Sequence, residues 1–524
     1  MDNSPAELGL KGLIRKQELV RLLVQCLYSL GYKRTASCLE SESGISLIHA
    51  DFANIESHIL QANWDDAISL INSVFFLPDH TRSAALFTVF KQWLLECLNY
   101  GGTSLGLSIL RKQVCTADLE IEMIQSLALS LLSFKDNGLT KMAETDILDM
   151  REHLIMELEK LLPPPIVIPE RRLEYLVETV ITHQLESCMY HNSDTTVCLC
   201  RDHCCDRDEI PTETVQILTA HSNEVWFVQF SNNGEFLASS SSDCSAMIWK
   251  VLENGESKLL HVLKSHEKPV SFLAWSPDDT KLLTCGNGEV LKLWDVETGT
   301  CLHTFGGNGF VVSSCAWFPD SKRFVSGSSD PEKGICMWDC DGNELKAWRG
   351  ARMPKVLDLA VTPNGGNLIS VFSDKEIRIL NLESNTEKII SEEHSITSLS
   401  VSADSKFLIV NLNSQEIHMW DVGGEWKKPL RYTSHKQLKY VIRSCFGGFN
   451  CKFVASGSED SKVYIWNRQK SKPIEVLSGH TMTVNCVSWN PKRPKMLASA
   501  SDDQTVRIWA PGKSKEIASS KSPS

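Results

Sequence analysis

One feature constrains this chain more than any other: from His221 onward, a tryptophan that ends a β-rich run returns about every 43 residues. The positions are Trp249, Trp294, Trp338, Trp420, Trp466 and Trp509, with Leu380 filling the one gap, so the spacings are 45, 44, 42, 40, 46 and 43 residues. Each of the seven units carries a second mark. An apolar residue opens a strand and a bulky one follows five positions on, as in Val225/Phe230, Val270/Trp275, Val312/Trp317, Val356/Val361, Ile396/Val401, Val441/Phe446 and Val484/Trp489. A turn such as SPDD, FPDS or TPNG usually follows, then a short apolar strand, a Ser-Asp turn and the strand ending in Trp. Period-two alternation with this punctuation reads as strands, not helix. A repeated unit of this length stacks on its neighbours to bury its faces. The expected architecture is one all-β seven-bladed propeller over residues 212–511, built of four-stranded blades. The alternating segment Thr212 to Leu218 precedes the first unit. It is expected to supply the outer strand of the last blade after Trp509, which closes the ring and covers its open edges.

The units resemble the WD40 repeat, in which a His, a Ser or Thr, an Asp and the Trp indole form one buried hydrogen-bonded set. Burying such groups is unfavourable unless each is paired. Three units match all four positions: His221/Ser239/Asp243/Trp249, His435/Ser456/Asp460/Trp466 and His480/Ser499/Asp503/Trp509. Elsewhere Gly288 replaces the Asp of unit two, Asn308 the His of unit three and Leu380 the Trp of unit four, while unit five has Ser414 at the Asp position and a shortened loop after His394. These middle blades are expected to lean on apolar packing. The sets are not read as catalytic triads. A hydrolase needs one exposed nucleophile beside an oxyanion hole, whereas this pattern recurs beside a Trp across units.

The remainder of the chain is helical in pattern. Leu19, Leu22, Leu23, Cys26, Leu27 and Leu30 follow one helical stripe, broken at Gly31 and Tyr32 before a second short helix from Thr35 to Glu42. A two-helix hairpin of about 30 residues cannot bury such a stripe by itself. The string LVRLLVQCLYSLGYKRTASCLESESG closely resembles the LisH motif, a dimerisation module, here over residues 14–46, with Leu23, Leu27, Gly31, Tyr32, Ala36, Leu39 and Glu42 at its characteristic positions. Leu19, Leu22, Leu23, Cys26, Leu27, Leu30 and Tyr32 are therefore candidate self-association residues. Ile55, Ile59, Ala67, Ile68, Ile71, Leu86, Phe90, Trp93, Leu94 and Leu98 continue the helical spacing over residues 47–107, which resemble a CTLH domain. Residues 108–187 resemble the CRA extension, with helices over 119–162 and 170–187 interrupted by the prolines at 163–165 and 169. Trp64, Phe90 and Trp93 are expected in the core.

Residues 188–211 lose periodicity and carry Cys188, His191, Cys198, Cys200, His203, Cys204 and Cys205. Clustered Cys and His can hold zinc, but C-x-C-x3-C-C is not a paired C-x2-C framework. Adjacent cysteines are hard to aim at one ion, so no metal site and no cofactor are assigned. Residues 512–524, rich in Lys and Ser, are expected to be a disordered tail.

The formal net charge of -12 argues against broad nucleic-acid binding, which needs clustered Lys and Arg. The first residues hold no apolar signal core, and apolar runs stay far below the ~20 residues of a membrane span. Scattered cysteines fit buried, reduced thiols, so cytoplasm and nucleus are the expected compartments. No Gly-rich phosphate loop or metal-hydrolase motif is present, and no enzyme activity is expected.

The order LisH, CTLH, CRA and one WD40 propeller covers nearly the whole chain. It resembles the LisH–CTLH–WD40 subunits of the multisubunit CTLH (GID) E3 ubiquitin ligase. That resemblance implies a non-catalytic scaffold that recruits substrates. It would self-associate as a homodimer or higher oligomer, and join other LisH-CTLH subunits, RING-bearing ones among them, through its helical half. The propeller would meet partners with its rim. By analogy with WD40 proteins, contact residues sit where an inner strand starts and just before the blade Asp; Trp226, Lys355, Tyr440, Glu459 and Asp502 occupy such places. A signalling scaffold for G-protein βγ or kinases is the alternative. Topless-type corepressors also begin LisH-CTLH but are much longer, with two propellers. Cullin-RING receptors carry Trp-Asp-x-Arg after a blade, which none of WDVE, WDCD, WDVG, WNRQ and WAPG matches.

Overall fold

The computed structural model describes residues 7–9, 11–74, 77–112, 125, 144–162, 166–194, 197–286, 290–306, 312–330, 332–349 and 354–512. The chain divides into two compact units, Met1–Thr182 and His183–Ser524. Positions 288 and 308 and the tail beyond residue 512 lie outside the described residues, as does the stretch 119–143 apart from residue 125.

The first unit holds helices α1 (Lys16–Ser29), α2 (Lys33–Ser43), α3 (Ala50–Leu60), α4 (Trp64–Ser73), α5 (Asp79–Lys112), α6 (Glu144–Leu161) and α7 (Arg172–Ser187), the last running past its boundary. The turn between α1 and α2 needs Gly31, whose φ is +87°, a left-handed value costly for a residue with a Cβ. It lets the Tyr32 amide donate to the Leu27 carbonyl at 2.8 Å. The core is where helical spacing places it: Ile55, Ile59, Ala67, Ile71, Leu86, Phe90, Leu94 and Leu158 are buried. Trp64 and Phe90 belong to it, and Trp93 packs on it partly exposed. Burying a side chain such as Phe90 contributes about 1.5–3 kcal/mol. A buried ion pair also joins the helices. The Arg151 guanidinium meets Glu96 at 2.7 Å, donates to the Leu60 carbonyl and lies 5.7 Å from the Trp64 ring.

The second unit is a seven-bladed β-propeller: seven four-stranded antiparallel sheets follow one another in chain order. Blade one is Val225–Phe230, Phe236–Ser241, Ser245–Val251 and Ser257–Lys264. Its pairing register sets Leu237 opposite Trp249 and Ser239 two residues along. The closing strand is Glu213–Leu218, which pairs antiparallel with Val506–Ala510, Thr214 opposite Trp509. Chain start and chain end of the ring are thus knitted into one sheet, as the alternation of that segment led one to expect.

Turn chemistry repeats with the blades. Asp243 and Asp503 accept from the amides two residues on, Ser245 and Thr505, forming Asx-type corners. The next residue, Cys244 or Gln504, sits at φ near +65°. The bulky residue five places into the inner strand also acts between blades. Trp275 Nε1 donates to the Gln229 carbonyl of blade one at 3.0 Å, and Trp317 Nε1 to the Ala274 carbonyl of blade two at 3.1 Å.

Candidate partner-binding site

The two outer matching blades hold their polar sets closed. In blade one, His221 Nδ1 lies 2.9 Å from Asp243, its Nε2 2.8 Å from Ser239 Oγ, and Trp249 Nε1 donates to that Oγ at 3.0 Å. In blade seven the same chain runs Asp503, His480, Ser499 and Trp509, at 2.8, 2.7 and 2.8 Å. A single tautomer satisfies every group: Nδ1–H to Asp, Ser O–H to Nε2, Trp N–H to Ser. Burial pushes the His221 pKa below its ordinary value, against the pull of Asp243.

Blade six differs from the expected set. His435 is buried, yet neither ring nitrogen bonds Ser456 or Asp460. Ser456 Oγ turns to the Gly457 carbonyl, Trp466 Nε1 to the Thr433 carbonyl, and Asp460 accepts instead from Tyr464. The reason lies in spacing. His221 and His480 stand four residues before Val225 and Val484, whereas His435 stands six before Val441. The two extra residues carry the imidazole away from Ser456, and the inner strand starts only at Ser444, leaving Val441 exposed. Burial holds the His435 pKa down, to about 4.

Blade two keeps a three-member set, His266 to Thr284 at 2.7 Å and Trp294 Nε1 to Thr284 at 2.8 Å. Blade four relies on apolar packing around Leu380. Blade five packs an apolar core of Leu408, Val410, Leu412 and Trp420 as well, and adds a polar set of its own. His394 is exposed, and Glu392 replaces it, accepting from Trp420 Nε1 at 2.6 Å and facing His418 Nδ1 at 2.8 Å. His418 Nε2 reaches Glu416 at 2.9 Å. Burial opposes the charge on His418, but the two carboxylates prevail and raise its pKa.

At the propeller mouth a cavity of about 610 Å³ is lined by the starts of the inner strands, including Trp226, Leu357, Ile396, Tyr440, Asn485 and Asp502. Three of the expected contact residues, Trp226, Tyr440 and Asp502, therefore meet at one opening. Tyr440 is 44% exposed, with Lys439 Nζ 5.4 Å from its ring. Trp226 Nε1 donates to Glu224, and Asn485 donates to Asp502 at 2.6 Å. Burial raises the Asp502 pKa, with a further push from Glu224. The lining is thus mixed, with Glu224 and Asp502 on one side, Arg443 below and Trp226 and Tyr440 as its aromatic wall. Lys355 is exposed but does not line the cavity. Glu459 points inward to its own loop: one carboxylate oxygen accepts from the amides of Leu438, Lys439 and Tyr440 at 2.7–2.9 Å. Its role in the structure is to shape the Tyr440 loop.

Beneath the mouth lies a feature that composition did not reveal. Arg443 reaches across the channel to Asp358 of blade four at 2.6 Å, while its guanidinium lies 5.2 and 4.6 Å from the rings of Phe227 and Phe272. Asp358 also accepts from the Leu399 amide. One buried ion pair thus joins blades four, five and six to the aromatic lining of blades one and two. A charged residue inside an inner strand that is otherwise apolar, as in VLDLAV, was the signal available in the sequence.

In the helical unit, the expected self-association face is open. Arg21, Val24 and Ala36 turn inward, the Arg21 guanidinium bonding the carbonyls of Leu47 and Ile166. Leu23, Leu30 and Tyr32 stay 40%, 60% and 60% exposed, and Leu19, Leu22, Cys26 and Leu27 are half-buried.

The Cys/His stretch behaves unlike its expectation. Cys204 is exposed, as are Cys198 and Cys200, but Cys205 turns inward. Its Sγ lies 3.1 Å from His203 Nε2 and 3.6 Å from His191 Nδ1, and those two nitrogens are 3.1 Å apart. The Cys188 sulfur joins them: the ligand atoms of Cys188, His203 and Cys205 all lie within 4.8 Å of one another. The adjacent pair need not share an ion when only one member faces it.

Comparison with known proteins agrees with both halves. The family described as WDR26 Lis-homology domain matches residues 5–49. The WD domain, G-beta repeat family matches residues 212–250, 257–295, 299–339, 426–467 and 471–510, missing blades four and five, whose polar sets are replaced. The chain is 63% identical over 493 residues to a WD repeat-containing protein WDS homolog of Arabidopsis thaliana, covering 94% of each. It is 43% identical to a WD repeat-containing protein 26 homolog of the same plant, over 94% of this chain and 83% of the relative. It is 34% identical to the GID complex subunit 7 of Schizosaccharomyces pombe, over 91% of this chain and 94% of that one. No described helix is long and apolar enough to cross a membrane. On this full-length similarity, carried by helical and propeller halves alike, the chain belongs to the WD repeat-containing protein 26 family.

Proposed function

We propose that this chain is a non-catalytic scaffold of a GID/CTLH-type E3 ubiquitin ligase, working in cytoplasm and nucleus. The observation that carries the reading is the 34% identity to a GID complex subunit along nearly the whole of both chains. The exposed Leu23, Leu30 and Tyr32 then self-associate or join other LisH-CTLH subunits, including RING-bearing ones. The propeller mouth receives substrates or adaptors, with Trp226 and Tyr440 as aromatic anchors and Lys355 as an outlying rim contact. Chemistry stays with the RING-bound conjugating enzyme. This chain acts by raising the local concentration of substrate.

The test is sedimentation of the native assembly. In cells lacking the chain, the RING-containing assembly becomes smaller. Wild-type chain restores its size and a Leu23→Asp/Leu30→Asp chain does not. An assembly of unchanged size without the chain contradicts the proposal.

A further inference from the structure

We infer that Cys188, His191, His203 and Cys205 form a zinc site that staples the segment leading into the propeller onto blades six and seven. The case begins with distances. Around tetrahedral zinc, with Zn–S about 2.3 Å and Zn–N about 2.0–2.1 Å, neighbouring ligand atoms stand about 3.3–3.8 Å apart. The measured edges are 3.1 Å between the two imidazole nitrogens, 3.1 Å from Cys205 Sγ to His203 Nε2 and 3.6 Å from Cys205 Sγ to His191 Nδ1. These three edges lie within about half an ångström of that polyhedron; Cys188 Sγ stands within 4.8 Å of His203 and Cys205 as a further corner, and His191 and Cys188 must close on each other when the ion binds. Two sulfurs and two nitrogens is a donor set that selects zinc over magnesium or calcium, which take oxygen.

Hydrogen bonding alone accounts poorly for the cluster. One imidazole N–H and one thiol S–H must serve three contacts among two ring nitrogens and a sulfur within 3.6 Å, so the bonds are shared and strained. A divalent cation with two thiolates has no net charge, which suits the burial of Cys188 and His191. The Lys452 ammonium donates to the Leu185 carbonyl, which fixes the chain just before Cys188.

The backbone is arranged to hold the ligands without the ion's help. Cys188 follows the last turn of α7, its amide bonded to the Gln184 carbonyl. The Gln184 side chain crosses to the other half of the site, donating to Asp202 and accepting from the His203 amide. Next to His191, the fully buried Asn192 donates to the Glu209 and Pro494 carbonyls and accepts from the Phe449 amide. The stretch holding Cys188 and His191 is thus anchored through Asn192 to the turn Phe449–Cys451 of blade six and to blade seven, and the stretch holding His203 and Cys205 is tied to it through Gln184. Closing the loop between Cys188 and Cys205 would fix the segment from which the ring-closing strand Glu213–Leu218 departs.

Zinc content of the full chain, purified without chelator or added metal, tests this. About one zinc per chain is expected. A Cys188→Ser/Cys205→Ser chain falls to background, and a Cys198→Ser/Cys204→Ser chain keeps its metal. Should the first variant fail to fold, wild-type chain stripped and refilled with Co2+ decides, through the d–d bands and sulfur charge-transfer absorption of tetrahedral cobalt. Wild-type chain without zinc, zinc retained by the Cys188→Ser/Cys205→Ser chain, a Cys188–Cys205 disulfide, or an octahedral cobalt spectrum each overturns the site.

Discussion

Replacing Ser499 with Ala should destabilise the propeller far more than replacing Ser456, although both serines occupy the same register of a matching repeat. Ser499 Oγ stands between Trp509 Nε1 and His480 Nε2, at 2.8 and 2.7 Å. Ser499 is 0% exposed and Trp509 1%. Its loss strands a donor and an acceptor where water cannot replace the hydroxyl, and each stranded group costs about 1–3 kcal/mol. The methyl left by Ala fills most of the space, so no cavity adds to this, and the sum is about 2–6 kcal/mol. Ser456 Oγ makes one bond to the neighbouring Gly457 carbonyl, and Trp466 is satisfied elsewhere. Its loss costs about 1 kcal/mol or less. Urea unfolding followed by tryptophan fluorescence reads the difference as a shift in midpoint at constant slope, applied to the propeller transition. The control is Ser239→Ala in blade one, which should match Ser499→Ala. Equal losses for Ser456→Ala and Ser499→Ala would refute the assignment of an open set to blade six.

Histidines of blades five and six should give opposite pH dependences. His418 has a raised pKa in the folded chain, so its contribution is full below the unfolded value and is lost as pH rises through the folded one. A His418→Gln chain should lose that decline in a melting-temperature series from neutral to alkaline pH. His435 is held down to about 4, so the unfolded chain binds the extra proton first and stability falls as pH drops from about 6.5 toward 4; His435→Gln should flatten that limb. Arg443→Met leaves Asp358, 1% exposed, as an unpaired buried carboxylate and should cost about 3–5 kcal/mol, most of it regained by pairing the change with Asp358→Asn. Trp226→Ala with Tyr440→Ala should weaken partner capture at a stability cost of about 0.5–3 kcal/mol, most of it from the half-buried Trp226, with the propeller still folded.

What could be read in the sequence was whatever repeats. Period-two alternation and the recurring Trp placed all seven blades, and the alternating Thr212 to Leu218 announced the closing strand, because edge pairing leaves a local pattern. The helical core was legible for the same reason: Ile55 and Ile59 share a face of α3, and Phe90 and Leu94 a face of α5, by spacing alone. Failures came where several segments must meet. Two inserted residues before Val441 preserve the His-Ser-Asp-Trp order of blade six and still pull His435 out of reach of Ser456. Blade five's Glu392 does a histidine's work from another position, invisible to a search for the usual residue types. Arg443 and Asp358 are 85 residues apart and meet only across the closed ring. Cys204 and Cys205 read as one useless pair because adjacency in sequence was taken as adjacency of side chains; the fold turns one out and one in.

The most direct test of the scaffold account is affinity purification from the protein's own cells, read by quantitative mass spectrometry for three tagged chains: wild type, Leu23→Asp/Leu30→Asp, and Trp226→Ala/Tyr440→Ala. The account predicts a separation. The helical variant loses RING-bearing LisH-CTLH subunits, while the propeller variant keeps them and loses a different set of proteins. Recovery of G-protein subunits or deacetylases with no RING protein on the wild-type chain, or both variants losing the same partners, would contradict it.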